Sequence, residues 1–510
     1  MNTSSSEWPL ASSAELLDGL SFGSPTWLPV PKSYEEFIGR QLPKESTHVY
    51  MSQHPPATQH KTYVKNILKR MLLPTLLVVG IAIVHSSSIT RITQHKIPIE
   101  KHFTEDEEKW RSQAVEKLWK ERKNMGYTPL IKFQPKGFPN VDIFFKNETA
   151  TKTQTLKHRF SWALLLWAII EGKVNSKSTV YDSTSGNTGA SEAYMCTLVG
   201  LPFIAVVAKE LEQEKINQIT GNGGKIMKVD VSLRNFHAKD QAEKNNGFFI
   251  NQFGNAEYAE EFHESGNDEH ESTNVYHEIL NQLKKDKNQE KKIPDYFVHS
   301  AGTGGTISSV GRYTKRYNLP TRILLSDSEY SLFHDYVISN KFTNESGTKI
   351  WKAPGVAGIG YGYNVKPVIY GETTSLTRSV VDESMKMPDI ASAAAMHVLR
   401  ERGIGGGAST GLNFLVSLHK AHQLKDSKDI KGRLTIVTII CDPGEFYEST
   451  YFNPKWIDKM FADKGGMEGL ECWKKAINSA IDTGSDFLEE GLAKCPDGVR
   501  LRRSLYGLNA

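Results

Sequence analysis

The sequence predicts an α/β fold built on parallel sheets. Between residues 118 and 451, short β-branched or apolar runs alternate with segments of helix length, and two glycine-rich turns each follow a predicted strand and open a predicted helix. With 39% hydrophobic and 24% charged residues in 510, the composition is globular, which excludes a collagen, a coiled-coil rod and wholesale disorder.

In chain order, residues 1–60 lack apolar periodicity, are rich in Ser, Pro and Thr, and read as a disordered N-terminal region. Residues 61–110 comprise an apolar segment and a linker. The segment 71–90, MLLPTLLVVGIAIVHSSSIT, has no Asp, Glu, Lys or Arg and is about long enough to cross a bilayer. Pro74, Gly80 and a polar end leave three readings open: a membrane anchor, a processed targeting segment, or a soluble packing helix. Lys and Arg on both sides give it no orientation.

Strands are predicted over 141–145, 179–182, 203–207, 225–229, 296–299, 322–326 and 434–441, with helices between them at 156–172, 189–200, 210–221 and 274–284. Residues 453–510 read as a helical extension in which Met467, Leu470, Ala476 and Ile477 share a buried face.

Charge and cysteine content narrow the function. Lys and Arg (62) nearly balance Asp and Glu (58), and a net charge of +4 gives no reason for a nucleic-acid partner. Four scattered cysteines, Cys196, Cys441, Cys472 and Cys495, suit neither a disulfide framework nor a four-cysteine zinc site, so a reducing compartment is the default. Cys196, Trp162 and Trp167 sit in apolar helices and read as core. His263, His270 and His277 fall in an acidic, polar stretch and read as a solvated face, and no metal site is expected. The charged run 284–292 reads as a solvated connection.

Three local features carry chemistry. First, TQTLKHRFSWALLLWAIIEG reads as a buried helix, capped by Thr153 or Thr155 and ended by Gly172. Its first turn carries Lys157, His158 and Arg159, the wrong sign for a helix N-terminus. Apolar walls and a neighbouring cation would lower the pKa of Lys157 and free its amine as nucleophile and base.

Second, STSGNTG at 183–189 offers the hydroxyls of Thr184, Ser185 and Thr188 and a helix N-terminus to a carboxylate, while Asn187 can donate to a phenolate or carbonyl oxygen. Third, SAGTGGT at 300–306 forms a backbone nest for a phosphate. It has neither a P-loop lysine nor the dinucleotide spacing, which argues for a phosphorylated cofactor held statically.

Taken in order, these pieces resemble the β-family, or fold type II, of pyridoxal-phosphate enzymes: cysteine synthases, cystathionine β-synthase, serine racemase and threonine dehydratase. Asn251-Gln252-Phe253, Gly358-Ile359-Gly360, the turn 405–409 and the stretch 444–450 (GEFYEST) resemble further family segments, so the resemblance covers about residues 118–452. It implies two parallel-sheet α/β domains with the cofactor in the cleft between them.

By the same resemblance, Lys157 would be tied to the cofactor aldehyde and Asn187 would bond its 3′-oxygen. Gly302, Thr303, Gly304, Gly305 and Thr306 would hold its phosphate. Thr184, Ser185, Thr188 and Gln252 would grip the substrate carboxylate. Around the lysine, Leu156-Lys157-His158-Arg159 is more similar to a bacterial cysteine desulfhydrase branch. The residue facing the pyridine nitrogen falls at Pro443, which cannot do that work; its neighbour Asp442 can.

The implied chemistry is β-elimination or β-replacement on cysteine or an O-activated serine through an aminoacrylate, making or releasing sulfide. Alternatives are a serine or threonine dehydratase and a catalytically silent amino-acid sensor. A homodimer with a cytoplasmic-type catalytic region is also implied.

Overall fold

The computed structural model describes residues 103–256, 259, 274–340, 356, 358–360 and 375–506. The N-terminal region, the apolar segment 71–90, His263 and His270 lie outside the described residues. Among the described residues, no helix is long and apolar enough to cross a membrane.

Two sheets organise the chain. The larger runs β1-β2-β10-β7-β8-β9, from β1 (Leu130–Phe133), β2 (Val141–Asn147), β7 (Tyr296–Ser300), β8 (Arg322–Ser328), β9 (Glu383–Met387) and β10 (Leu434–Ile440). The smaller runs β5-β4-β3-β6, from β3 (Val180–Ser183), β4 (Phe203–Ala208), β5 (Lys225–Val229) and β6 (Phe248–Phe249). Every pairing is parallel except β1 with β2, so the wholly parallel expectation fails at one edge. An antiparallel edge strand needs no crossover helix. β10, all seven residues of which are buried, lies between β2 and β7 and brings chain positions nearly 300 residues apart into register, Leu434 opposite Val141.

Helices cover both sheets. α1 (Glu105–Met125) falls partly in the expected linker. Its buried residues Ala114, Leu118 and Arg122 recur every four positions, and Trp162 Nε1 donates to the Leu118 carbonyl at 2.7 Å. α2 (Lys157–Ile170) has twelve buried residues, including Trp162 and Trp167, and is enclosed as predicted. Gly172 follows it in the left-handed region, φ 67°. α3 (Asn187–Val199) packs beside it with Cys196 fully buried. α4 (Gln213–Gly221), α5 (Arg234–Lys244), α6 (Val275–Lys285) and α7 (Gly305–Arg316) complete the crossovers used below.

Two sequence expectations are corrected by the fold. His277 is buried, not solvated: it lies on the inner face of α6, and its Nδ1 is 2.8 Å from the Tyr313 hydroxyl. Cys472 and Cys495 form a disulfide across 23 residues. The four helices Pro454–Met460, Gly466–Thr483, Phe487–Lys494 and Gly498–Tyr506 double back on one another, which the cysteine spacing does not reveal, so the scarcity of cysteines no longer argues for a reducing compartment. Leu470, Ala476 and Ile477 of this extension are buried, with Met467 packed against them, in the same cluster as the core of the larger sheet.

Candidate active site

Lys157 begins α2, and its loop is tied to the end of β10 by the Leu156 N–H, which donates to the Cys441 carbonyl at 2.8 Å. The Thr155 hydroxyl accepts from the Lys157 N–H at 3.2 Å, so Thr155, not Thr153, satisfies the helix start. Thr153 instead faces His158 Nδ1 and Ser191.

The misplaced charge of this first turn is resolved by carboxylates behind it. His158 Nε2 lies 3.3 Å from Glu121. Arg159, 3% exposed, reaches Glu148 at 2.7 Å and Glu278 at 2.5 Å, and Glu278 also meets Arg122 (2.9 Å) and Lys146 (3.0 Å). The pKa of Lys157 is lowered by loss of water around its amine, with Cys441 and Asp442 opposing the shift. The expectation that a neighbouring cation presses on the amine is therefore replaced by desolvation.

The first turn joins β3 to α3. The Thr184 hydroxyl accepts from the Gly186 and Gly189 N–H groups at 3.1 and 3.0 Å, which orders the turn, while Ser185 is exposed. Asn187 and Thr188 face protein partners. Asn187 Nδ2 donates to Asp442 Oδ2 at 2.7 Å, and the Thr188 hydroxyl donates to Gln252 Oε1 at 2.8 Å.

The second turn joins β7 to α7, a twelve-residue helix that begins at Gly305, so the turn itself supplies the helix's first amides. Thr303 is buried and its hydroxyl accepts from the Gly305 N–H at 3.3 Å. Gly304 has φ 88°, and a Cβ there would collide with the backbone of Leu376. The left-handed conformation alone costs another residue about 1–3 kcal/mol. Gly304→Val is expected to carry roughly tenfold less of a phosphorylated cofactor than wild type, measured as cofactor released per chain.

Asp442 follows β10 and is 1% exposed. Its Oδ2 accepts from Asn187 and from the Tyr447 hydroxyl, the latter at 2.6 Å. Its Oδ1 is buried without a hydrogen-bond partner. Burial pushes its pKa up, against the pull of Tyr447, Asn187, Lys215 and Lys157. Gly407 lets the carboxyl lie where it does, since a Cβ there would collide with Oδ1. Pro443, with no N–H and no polar side chain, only begins the turn Gly444–Tyr447.

Sequence reasoning missed four residues of this region. Tyr447 and Lys215 form one pair: the Lys215 ammonium lies 4.8 Å over the Tyr447 ring, reaching from α4 across to the end of the larger sheet. Asp182 and Glu192 are two further buried acids near the turn that opens α3. The signal for Glu192 is a carboxylate inside an otherwise apolar helix; nothing local distinguishes Lys215. Among the described residues, no group of three His, Cys, Asp or Glu residues is placed to hold a metal.

Comparison with known proteins bears on this arrangement. The model of the family described as pyridoxal-phosphate dependent enzymes matches residues 122–442. A Caenorhabditis elegans protein named only as pyridoxal-phosphate dependent is 64% identical over 436 residues, covering 85% of this chain and all of that one. The L-cysteine desulfhydrase Cds1 of Mycobacterium tuberculosis is 32% identical over 330 residues, covering 64% of this chain and 83% of its own. Among solved structures, an O-ureido-L-serine synthase superposes with a TM-score of 0.52 at 22% identity, covering 65% of this chain and 93% of its own. A hydrogen sulfide-producing enzyme of Fusobacterium nucleatum gives 0.51 at 22%, covering 64% and 98%. At such identity these two likenesses speak for the fold.

Proposed function

The chain belongs to the family of pyridoxal-phosphate dependent enzymes, and we propose that it catalyses β-elimination on cysteine, releasing sulfide, with β-replacement on an O-activated serine as the competing outcome of the same site. The residues present suit the cofactor. A lysine whose pKa is lowered by desolvation, a glycine turn at a helix N-terminus and a buried carboxyl whose charge reaches that lysine support this. Gly302, Thr303, Gly304, Gly305 and Thr306 would hold its phosphate, Lys157 its aldehyde carbon and Asp442 its ring nitrogen. When bound, the cofactor supplies an electron sink for the pair left at Cα when the substrate proton departs.

This chain's own residues do the rest. Lys157, biased toward its neutral form, takes the Cα proton. Ser185, Thr184 and the amides that open α3 receive the substrate carboxylate. Asp442, steadied by Tyr447 and Asn187, holds a proton at the ring nitrogen and strengthens the sink. Asn187 is thereby given a supporting role beside Asp442 as well as the implied contact with the 3′-oxygen. The leaving group on Cβ departs as sulfide from cysteine.

What supports this reading is Lys157 at the start of α2, its pKa lowered by desolvation, with the buried Asp442 near enough for the two charges to interact. Asp442→Asn is expected to lower kcat on the order of a hundredfold and to slow Cα proton loss, read with Cα-deuterated cysteine. The function itself is tested by product analysis. Sulfide, pyruvate and ammonia from cysteine alone support elimination; cysteine from O-acetylserine and sulfide supports replacement. Turnover of serine or threonine alone would reassign the enzyme as a dehydratase. The homodimer belongs to this proposal and is checked by sedimentation.

A further inference from the structure

Lys215 is a buried cation that the chemistry above does not use. It lies in the first turn of α4, is 5% exposed, and has its ion pair with the half-buried Glu212 at 3.4 Å. A charge taken out of water is costly unless something nearby offsets it, and an apolar side chain would fill this space at less cost. The surroundings of Lys215 are specific. Its stem passes the turn that opens α3: a Cβ on Gly186 would stand 2.7 Å from Lys215 Cδ, so the glycine leaves room for it. Its ammonium ends 4.8 Å over the Tyr447 ring.

The hydroxyl of the same phenol donates to Asp442 Oδ2 at 2.6 Å. Lysine, ring and carboxyl thus form one series, running from α4, between two strands of the smaller sheet in the chain, to the residues that follow β10 in the larger. A cation held over a phenol draws on the electrons of its ring and makes the hydroxyl a stronger donor. A stronger donor favours the charged form of the carboxyl that accepts from it. Burial raises the Asp442 pKa, and Tyr447, Asn187, Lys215 and Lys157 oppose it, in keeping with that. A carboxyl kept charged leaves a proton shared with the cofactor on the ring nitrogen, where it strengthens the electron sink.

We propose that Lys215 is a positioning residue that acts on Asp442 through Tyr447: its ammonium holds the phenol with the hydroxyl toward the carboxylate, so that the proton between Asp442 and the ring nitrogen rests on the nitrogen. This inference rests on the functional reading above, and the experiment separates the two.

The test uses the holoenzyme loaded with cofactor isotopically labelled at its ring nitrogen, whose solid-state NMR resonance reports the proton there. Lys215→Met keeps the length of the side chain and removes its charge. It is expected to move the resonance toward the unprotonated position and to lower kcat about tenfold, with KM for cysteine within about threefold of wild type. Tyr447→Phe keeps the ring and removes only the hydroxyl, and is expected to move the resonance the same way. In the Tyr447→Phe background, Lys215→Met is expected to lower kcat by less than about twofold further, because the hydroxyl through which it acts is gone. Glu214→Ala breaks the other contact between these parts of the chain, in which the Ser449 hydroxyl donates to Glu214 Oε2 at 3.1 Å, and is expected to keep the wild-type resonance and kcat.

A wild-type resonance in Lys215→Met, or losses of kcat that multiply in the double variant, overturns the relay. Should Lys215→Met fail to fold, a wild-type resonance in Tyr447→Phe overturns it instead. An equal shift in Glu214→Ala means that any loosening of this contact suffices, and overturns it too. Asp442→Asn tells the two readings apart. If it leaves the resonance where it is, the functional reading fails and the relay with it; if it moves the resonance while Lys215→Met does not, the relay alone fails.

Discussion

Lys157→Ala is expected to remove the cofactor's covalent attachment and to lower kcat by at least about a thousandfold, because one side chain supplies both the link and the base. The physical ground is its setting. The amine starts a helix enclosed by apolar residues, and loss of water, opposed by Cys441 and Asp442, favours its neutral form. Borohydride reduction followed by peptide mapping should place the adduct on the wild-type peptide containing Lys157 and on no peptide of the variant. Wild-type turnover and an unchanged absorption spectrum in Lys157→Ala would defeat the assignment, whatever the products of the native enzyme.

The second large effect is on stability. Arg159→Leu is expected to destabilise the fold by about 3–5 kcal/mol, since it leaves Glu148 and Glu278 buried without the guanidinium that bridges them. Lys146 and Arg122 still reach Glu278, whereas Glu148 is left with the neutral Thr128 hydroxyl in place of a cation. Urea unfolding of the two proteins measures the difference, and a change below about 1 kcal/mol would show that the network adds nothing.

The same network sets an acid limit. Burial alone would raise the Glu278 pKa, yet Arg159, Lys146 and Arg122 together bring it to about 2, below its ordinary value of 4.5. A depressed carboxylate contributes stability that is complete above the unfolded value and is lost as pH falls toward the folded one. Wild type should therefore lose this contribution between about pH 4.5 and 2, and Glu278→Gln should show a flatter profile over that window.

How far these residues were legible beforehand differs case by case. The wrong-signed first turn of α2 was visible and pointed to Lys157, but its remedy was not. Glu148 lies 11 residues from Arg159, outside α2, and Glu278 lies 119 away, so neither partner is a neighbour on the same helix. The glycine cup was legible because Gly304 needs a backbone conformation that other residues resist. Counting led to Pro443 and its chemistry moved the expectation to Asp442; the tertiary structure adds that Asp442 is buried, with Asn187 and Tyr447 on one oxygen. His277 read as surface because its neighbours are polar, whereas one face of α6 carries it inward.

Backbone demands and hydrophobic period are written locally, and from them the sequence alone determined the α/β class, the two strand-to-helix glycine turns, the enclosed helix α2 and the lysine at its start. Choice of partner is not local. Asn187 meets Asp442 across 255 residues, Gln252 meets Asp182 across 70, and Cys472 meets Cys495 only because helices double back. Polar groups buried away from water must find a donor or acceptor wherever the sheets bring one, and that search is decided by three-dimensional packing.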